Sequence, residues 1–417
     1  MTFENDSYEK SDSSTAVTGE LMTDSDRQSH KRAVLEHALG VPFTNNNTLR
    51  ILRNGCQIFP AMLEAVRQAN ERIEFLTFVY WTGDIAVEFA EALAEKAREG
   101  LCVRVLLDSY GAATMNDDLL DAMREAGVII RWFRPMATWK VWRSDHRTHR
   151  KILLVDQCIG FTGGVGIASQ WEGDAENPEQ WRDTHFQLTG PCLEGMHAAF
   201  LGNWVDEGRL VEPDLMSPVS LPEHVRLPGS DIFENVTIQV LKSSSALGWS
   251  DVATLIQALL FSARREVRIA TAYFVPDPVL IDLLAATVAR GVSITVMLPG
   301  RHTDQRVSQL GGEDGFRRLL DAGVTLLLYQ KTMLHTKLII VDGELVCIGS
   351  ANFNQRSMQK DEEISMVVDS VAVAERLNAD FDADSEHCEP IDFTRWTQRS
   401  LWQRAGEVAM KPFKQQL

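Results

Sequence analysis

Cysteine is scarce in this 417-residue chain and never closely paired. Cys56, Cys102, Cys158, Cys192, Cys347 and Cys388 include no C-x-x-C spacing, which excludes a disulfide-stapled scaffold and a zinc-ribbon framework. Cys158 and Cys347 fall in apolar, strand-like runs, where a reduced thiol packs as a small hydrophobe. No run of eighteen apolar residues exists, so no membrane-spanning helix is expected. Met1 to His30 is rich in Ser, Asp and Glu without an apolar core, unlike a secretory signal; residues 1–45 are expected to form a disordered acidic leader. Positive charge is also the minority: 41 Lys and Arg against 58 Asp and Glu leave a net charge of −17, which argues against an extended grip on nucleic acid. These absences together point to a reducing, cytoplasmic setting.

What the chain does have is a duplication. His149-Arg150-Lys151-Ile152-Leu153-Leu154-Val155-Asp156 recurs 186 positions later as His335-Thr336-Lys337-Leu338-Ile339-Ile340-Val341-Asp342. In an extended strand, residues i and i+2 share a face, so each copy presents an imidazole beside an ammonium while the apolar run anchors the strand. A half-exposed strand with an incidental polar face explains one such copy far better than two in register.

The surroundings repeat as well. A helix-like stretch Phe59 to Glu71, a strand Ile73 to Tyr80, a helix Ile85 to Glu99, a stop at Gly100 and a strand Val103 to Asp108 are mirrored later. The counterparts are a helix Val252 to Arg264, a strand Val267 to Phe274, a helix Pro278 to Arg290, a stop at Gly291 and a strand Ser293 to Leu298. This alternation predicts an α/β protein of two tandem lobes, 46–205 and 236–390, each a mainly parallel mixed β-sheet flanked by helices, packed as a pseudo-two-fold dimer. Residues 206–235, with Pro213, Pro218, Pro222, Pro228 and Gly229, are the expected linker. Residues 391–417 form a separate basic, aromatic segment.

Two facing imidazoles suit displacement at phosphorus, one attacking and the other protonating the departing oxygen. Lys151 and Lys337 are placed to hold the non-bridging oxygens, a role otherwise given to a metal, so no metal and no cofactor are expected. Glycine turns follow each motif at the same distance, Gly163-Gly164 and Gly349-Ser350; glycine allows close backbone approach, and Ser350 and Asn352 add donors for phosphate oxygens. Gly163-Gly164-Val165-Gly166 lacks the spacing of a dinucleotide loop. Asp183, 34 positions after His149, and Glu363, 28 after His335, are candidates to orient the imidazoles, although either acid alone reads equally as a surface charge.

The doubled motif, Gly349-Ser350-Ala351-Asn352-Phe353-Asn354-Gln355-Arg356-Ser357, Trp181-Arg182-Asp183-Thr184-His185 and Tyr273-Phe274-Val275-Pro276-Asp277 resemble the phospholipase D superfamily, and within it the bacterial cardiolipin synthase branch. The similarity runs from about Arg53 to Glu386. It implies that His149 takes a phosphatidyl group as phosphohistidine and that His335 serves as general acid, with the reverse assignment also open. It implies that Glu363 serves His149 and Asp183 serves His335 across the lobe interface, while Asp156 and Asp342, though part of the catalytic motif, are largely structural. One departure stands out: Gly166 occupies the place of a family Asn.

The resemblance also implies transfer of a phosphatidyl group from phosphatidylglycerol or a related donor to a second lipid's hydroxyl, giving cardiolipin; transfer to water instead makes a phospholipase-type hydrolase the alternative, with a nuclease disfavoured by the acidic charge. A scaffold with a relic site is a third, non-enzymatic reading. Partners are then phospholipids and the inner face of the cell membrane, with no nucleic acid, and nothing in the sequence specifies an oligomeric state. Two segments suit peripheral membrane contact: Arg131 to Pro135 with Trp139 to Arg143, and Arg395 to Leu417, where Trp396, Trp402 and Phe413 accompany five cations. For both, aromatic packing on the lobe is the competing reading.

Overall fold

The apolar run behind each His-x-Lys pair is a four-residue strand buried on both faces. The computed structural model that reveals this describes residues 24–135, 146–205, 212–216, 225–244, 251–304 and 315–391. Its strands are β1 (Thr44–Arg53), β2 (Arg72–Thr77), β3 (Cys102–Asp108), β4 (Ile129–Phe133), β5 (Ile152–Val155), β6 (Ile159–Gly163), β7 (Thr184–Thr189), β8 (Ile232–Lys242), β9 (Glu266–Ala270), β10 (Ser293–Pro299), β11 (Thr325–Tyr329), β12 (Leu338–Val341), β13 (Leu345–Gly349), β14 (Ile364–Asp369) and β15 (Cys388–Pro390). The longer helices begin with α1 (Asp24–Leu39), α2 (Asn54–Arg67), α3 (Asp84–Arg98), α4 (Asp117–Glu125), α5 (Cys192–Trp204), α6 (Asp251–Ser262) and α7 (Pro278–Ala289), followed by helix Val371–Ser385.

The strands form one sheet, in the order β15-β11-β10-β9-β12-β13-β14-β8-β1-β7-β6-β5-β2-β3-β4. Outward from the β8–β1 junction the two halves repeat each other, which is the expected pseudo-two-fold relation. Two expectations are corrected here. The lobes do not carry separate sheets, because β1 and β8 pair antiparallel across the junction. Nor is the sheet mainly parallel: only β2–β3, β3–β4, β9–β10 and β10–β11 run parallel. After β5 and after β12 the chain reverses through a tight turn, at Asp156-Gln157 and at Asp342-Gly343, and a short reversal permits only antiparallel pairing.

Side-chain alternation sorts the core into layers. Ile152 and Leu154 of β5 face the same cluster as Leu338 and Ile340 of β12, together with α5 and helix Val371–Ser385. Leu153 and Val155 face a cluster drawn mainly from the first lobe but closed by Ala272 and Met333 of the second, and Ile339 and Val341 one drawn mainly from the second and closed by Leu35 of the N-terminal segment. The lobes therefore share one core fully and a second at its edge. At about 1.5–3 kcal/mol per fully buried Leu, Ile, Phe or Met, the shared layer holds the halves rigidly in register.

The expected leader is also corrected. Residues 24–39 are helix α1, docked on α6 by the fully buried Leu35, and Lys31 reaches Asp342 Oδ2 at 2.5 Å and Glu344 Oε2 at 2.9 Å. Among its described side chains only Lys31 and Leu35 are buried, so the segment carries no apolar periodicity by which sequence alone would reveal it. In the expected linker, Pro213–Met216 forms a 3-10 turn with Leu215 buried, and Ile232 already opens β8. Trp139 to Arg143 and residues 392–417 lie outside the described residues. All six cysteines are free thiols.

Candidate active site

Both histidines sit where one lobe's backbone meets the other's. His149 N–H donates to Glu362 O at 2.8 Å and Glu362 N–H to Arg147 O at 2.8 Å, a one-pair parallel bridge from the first motif to the second lobe. The counterpart joins Arg182 N–H to Met333 O at 2.8 Å and His335 N–H to Arg182 O at 2.7 Å. Each bridge places an acid of one lobe under the imidazole of the other. His149 Nδ1 lies 3.1 Å from both Glu363 oxygens, and His335 Nδ1 lies 2.7 Å from Asp183 Oδ2. An ionised carboxylate only accepts, so Nδ1 carries the proton and Nε2 keeps its lone pair.

Electrostatics agree with that tautomer. Burial, aided by Lys337, lowers the His335 pKa, and burial lowers that of His149 against the opposing pull of Glu363, which favours the neutral ring in both. Burial alone pushes the Glu363 carboxyl up, but its pairing with the His149 imidazole, the Lys151 charge and the Ser350 hydroxyl outweigh it and hold it down to about 2. Asp183 is likewise held low, by His335 and Lys337 against its burial. Burial pulls Lys151 down to about 7, with Lys337 adding to the fall, and pulls Lys337 down to about 8. That the Lys337 charge bears on Lys151, and the Lys151 charge on His335, reflects convergence of the two motifs. Each lysine also donates to the carbonyl of its own histidine, at 2.8 Å from Lys151 and 2.6 Å from Lys337.

The remaining candidates divide. Asp156 accepts from the backbone N–H groups of Asn70, Glu71 and Arg72, and Asp342 from those of Arg264, Arg265 and Glu266; each pins the turn that opens β2 or β9, at the far end of the strand from its histidine. They hold the scaffold rather than the reacting atoms. Ser350 is not placed as a phosphate donor: its buried hydroxyl donates to Glu363 Oε2 and accepts from Ile364 N–H at 3.0 Å. Asn352 is buried, its backbone N–H donates to Ser357 Oγ at 3.1 Å, and its side-chain Oδ1 has no partner among the described residues. At Gly163, as at Gly349, a Cβ would strike the neighbouring strand, 2.7 Å from Thr184 O in one and 2.2 Å from Ile364 O in the other. At Gly164 it would meet Asp183 Oδ1 at 2.3 Å, so close packing on the acid-bearing strand, not a ligand, demands glycine there. At Gly166 a Cβ would lie 2.6 Å from Val79 Cβ; Val79 fills the space of a longer side chain.

Several residues of the site carry no signal of their own in the sequence. Phe78 stacks edge-on at 5.1 Å from the His149 ring, whereas Trp171, Trp181 and Tyr273 surround His335 at 5.1, 5.2 and 6.2 Å. Arg150, the residue between His149 and Lys151, is fully buried and donates to Glu363 O, Ala199 O, Ser243 O and Asn203 Oδ1. Asp108 accepts from Thr148 N–H at 3.2 Å and so fixes the approach to His149; burial raises its carboxyl to about 6. Aligning the two halves residue by residue from their histidines is the one reading that would have exposed Trp171 and Ser357 as equivalents.

A family model described as "Cardiolipin synthase, PLD-like domain" matches residues 62–179 and 256–385, one match over each His-Lys motif and its glycine turn. The chain belongs to this phospholipase D-like cardiolipin synthase family. Cardiolipin synthase 1 of Bacillus anthracis is 30% identical over 93% of this chain and 76% of its own length. The major cardiolipin synthase of Bacillus subtilis (strain 168) is 27% identical over 88% and 71%. Among solved structures, a phosphatidylserine synthase from Haemophilus influenzae Rd KW20 superposes with a TM-score of 0.72 at 16% identity, covering 93% of this chain and all of that one, which shows a shared fold. Membership accounts for the pseudo-two-fold site.

Proposed function

We propose that the protein is a phosphatidyl transferase that makes cardiolipin from two molecules of phosphatidylglycerol. The observation that carries this reading is the pair of imidazoles, each oriented by a carboxylate of the opposite lobe, in a member of a cardiolipin synthase family. His149 Nε2 attacks the donor's phosphorus; the bond from phosphorus to the headgroup glycerol oxygen breaks, and His335, protonated once the anionic phosphodiester has bound, gives that oxygen its proton. Free glycerol leaves and a phosphatidyl group remains on His149. A second phosphatidylglycerol then loses its terminal hydroxyl proton to His335 and attacks the phosphorus, breaking the P–N bond and forming cardiolipin.

Lys151, Lys337 and the Asn352 amide hold the non-bridging oxygens, where donors in a buried site act most strongly. Glu363 and Asp183 keep the imidazoles in the useful tautomer and stabilise each in turn as a cation. The substrate reaches the site at a membrane surface. No helix among the described residues is long and apolar enough to cross a bilayer.

The experiment is incubation with radiolabelled phosphatidylglycerol in vesicles, followed by separation of products. Cardiolipin and glycerol in equal amounts support the reading, and His149→Ala and His335→Ala each abolish both. Phosphatidic acid as the sole product would replace transfer with hydrolysis, and turnover surviving in either variant sinks the two-histidine mechanism.

A further inference from the structure

The two orienting acids are supported differently, and the difference falls at one repeated position. Trp171 stands 22 residues beyond His149, and Ser357 stands 22 beyond His335. Trp171 Nε1 donates to Asp183 Oδ2 at 2.9 Å, the same oxygen that accepts the hydrogen bond from His335 Nδ1. Ser357 Oγ donates to Glu363 Oε1 at 2.6 Å, and both oxygens of Glu363 lie within hydrogen-bond reach of His149 Nδ1.

The neighbouring position differs in the same sense. Ser350 adds a second hydroxyl to Glu363, whereas its counterpart Gly164 offers Asp183 only space. The longer acid is thus gripped by two small hydroxyl residues, and the shorter acid lies against a bare glycine under one large indole. Trp171 also lies edge-on to the His335 ring, at 5.1 Å and 81°, so a single side chain touches both members of that pair. Ser357 makes no ring contact with His149; its oxygen also accepts from Asn352 N–H at 3.1 Å.

We propose that Trp171 and Ser357 are positioning residues, each holding the carboxylate that orients the opposite lobe's histidine, so that His335 and His149 are tuned independently. A carboxylate that loses one donor keeps its charge on fewer hydrogen bonds and pulls harder on the imidazole N–H that remains, while gaining freedom to rotate. Trp171→Phe removes the indole N–H and keeps an aromatic ring; its effect should reach His335 through Asp183 and stop there. Ser357→Ala removes one oxygen and should reach only His149.

The inference rests on the two-histidine mechanism, but its first test needs no substrate. In the full chain with ¹⁵N-labelled histidine, each imidazole N–H shared with a carboxylate gives a far-downfield proton signal, assigned by its loss in H149A or H335A. W171F should shift the His335 signal alone, S357A the His149 signal alone, and S357T should leave both near their wild-type positions. A W171F spectrum in which both signals move, or neither, overturns the proposal, as does an S357A spectrum in which the His335 signal moves. S357A deletes a single atom and decides the matter by itself if the tryptophan variant does not fold. In the activity arm, kcat should fall about tenfold in W171F and in S357A, the worth of one hydrogen bond, with S357T restoring it. Wild-type protein inert on phospholipid would defeat the functional reading while leaving the pattern of signals to stand or fall separately.

Discussion

Replacing Arg150 with Met should cost more stability than any change at the reacting groups. The Arg150 guanidinium lies 3.4 Å from Glu362 Oε2 and is walled in by three backbone carbonyls and Asn203. At an effective dielectric of about 20, a pair at that distance attracts by about 5 kcal/mol. Arg134, 3.3 Å from the other Glu362 oxygen, stays behind and compensates part of the lost charge, leaving a deficit of about 2–3 kcal/mol. The carbonyls of Ala199, Ser243 and Glu363 each lose a buried charged donor, at about 1 kcal/mol apiece. Methionine fills most of the volume, so little cavity cost is added, and the expected destabilisation is about 5 kcal/mol. Arg150→Lys keeps the charge but not the planar fork and should lose about half as much. Urea denaturation with unchanged slope is the assay, with kcat measured on the folded fraction, because Arg150 also steadies the backbone of Glu363. An R150M variant within about 1 kcal/mol of wild type would refute the claim that this residue ties the lobes at the site.

Other outcomes arise from the same geometry. The lysines act as cations, and in the free enzyme they lose their protons as pH rises through about 7 for Lys151 and about 8 for Lys337. On a short-chain soluble substrate kcat/KM should therefore fall above pH 7, while kcat, governed by the complex in which bound phosphodiester holds the protons, falls at higher pH; a kcat/KM that is flat to pH 9 contradicts this. Gly166→Asn should destabilise by about 1–3 kcal/mol through collision with Val79 and should not raise kcat; a melting point unchanged from wild type counts against the steric account. Lys31→Met removes the buried ammonium that pairs with Asp342 and Glu344, yet Asp342 keeps three backbone donors, so stability should drop by about 2 kcal/mol with kcat retained. Limited proteolysis should then cut within α1 first, and loss of activity without earlier cleavage would be the wrong result.

How much of this could be read before folding is clearest at particular residues. The doubled His-x-Lys motif, the buried strands behind it and the equal distance to each glycine turn are local regularities, so periodicity and spacing alone located His149, Lys151, His335 and Lys337. The two acids were reachable by resemblance, because Asp183 and Glu363 sit at unequal distances from their motifs. Helix α1 was not legible, since it docks through one leucine and a few charges and has no apolar stripe. The mostly antiparallel sheet escaped because strand direction depends on the connection that leaves each strand: alternation of helices and strands suggested crossovers, while Asp156-Gln157 and Asp342-Gly343 turn the chain straight back.

Sequence by itself determined that the chain is doubled, that each half buries a short apolar strand behind an imidazole and an ammonium, and that such groups suit phosphorus chemistry. Those properties are carried within eight consecutive residues. Only the tertiary structure decided by what backbone bridges each acid reaches its histidine, that Arg150 is a buried tie and not a spacer, that Ser350 grips Glu363 and not a ligand, and that Val79 forbids a side chain at Gly166. Each of these depends on a meeting of residues from opposite sides of the β8–β1 junction or from adjacent strands, and distance along the chain says nothing about which side chains a folded sheet brings into contact.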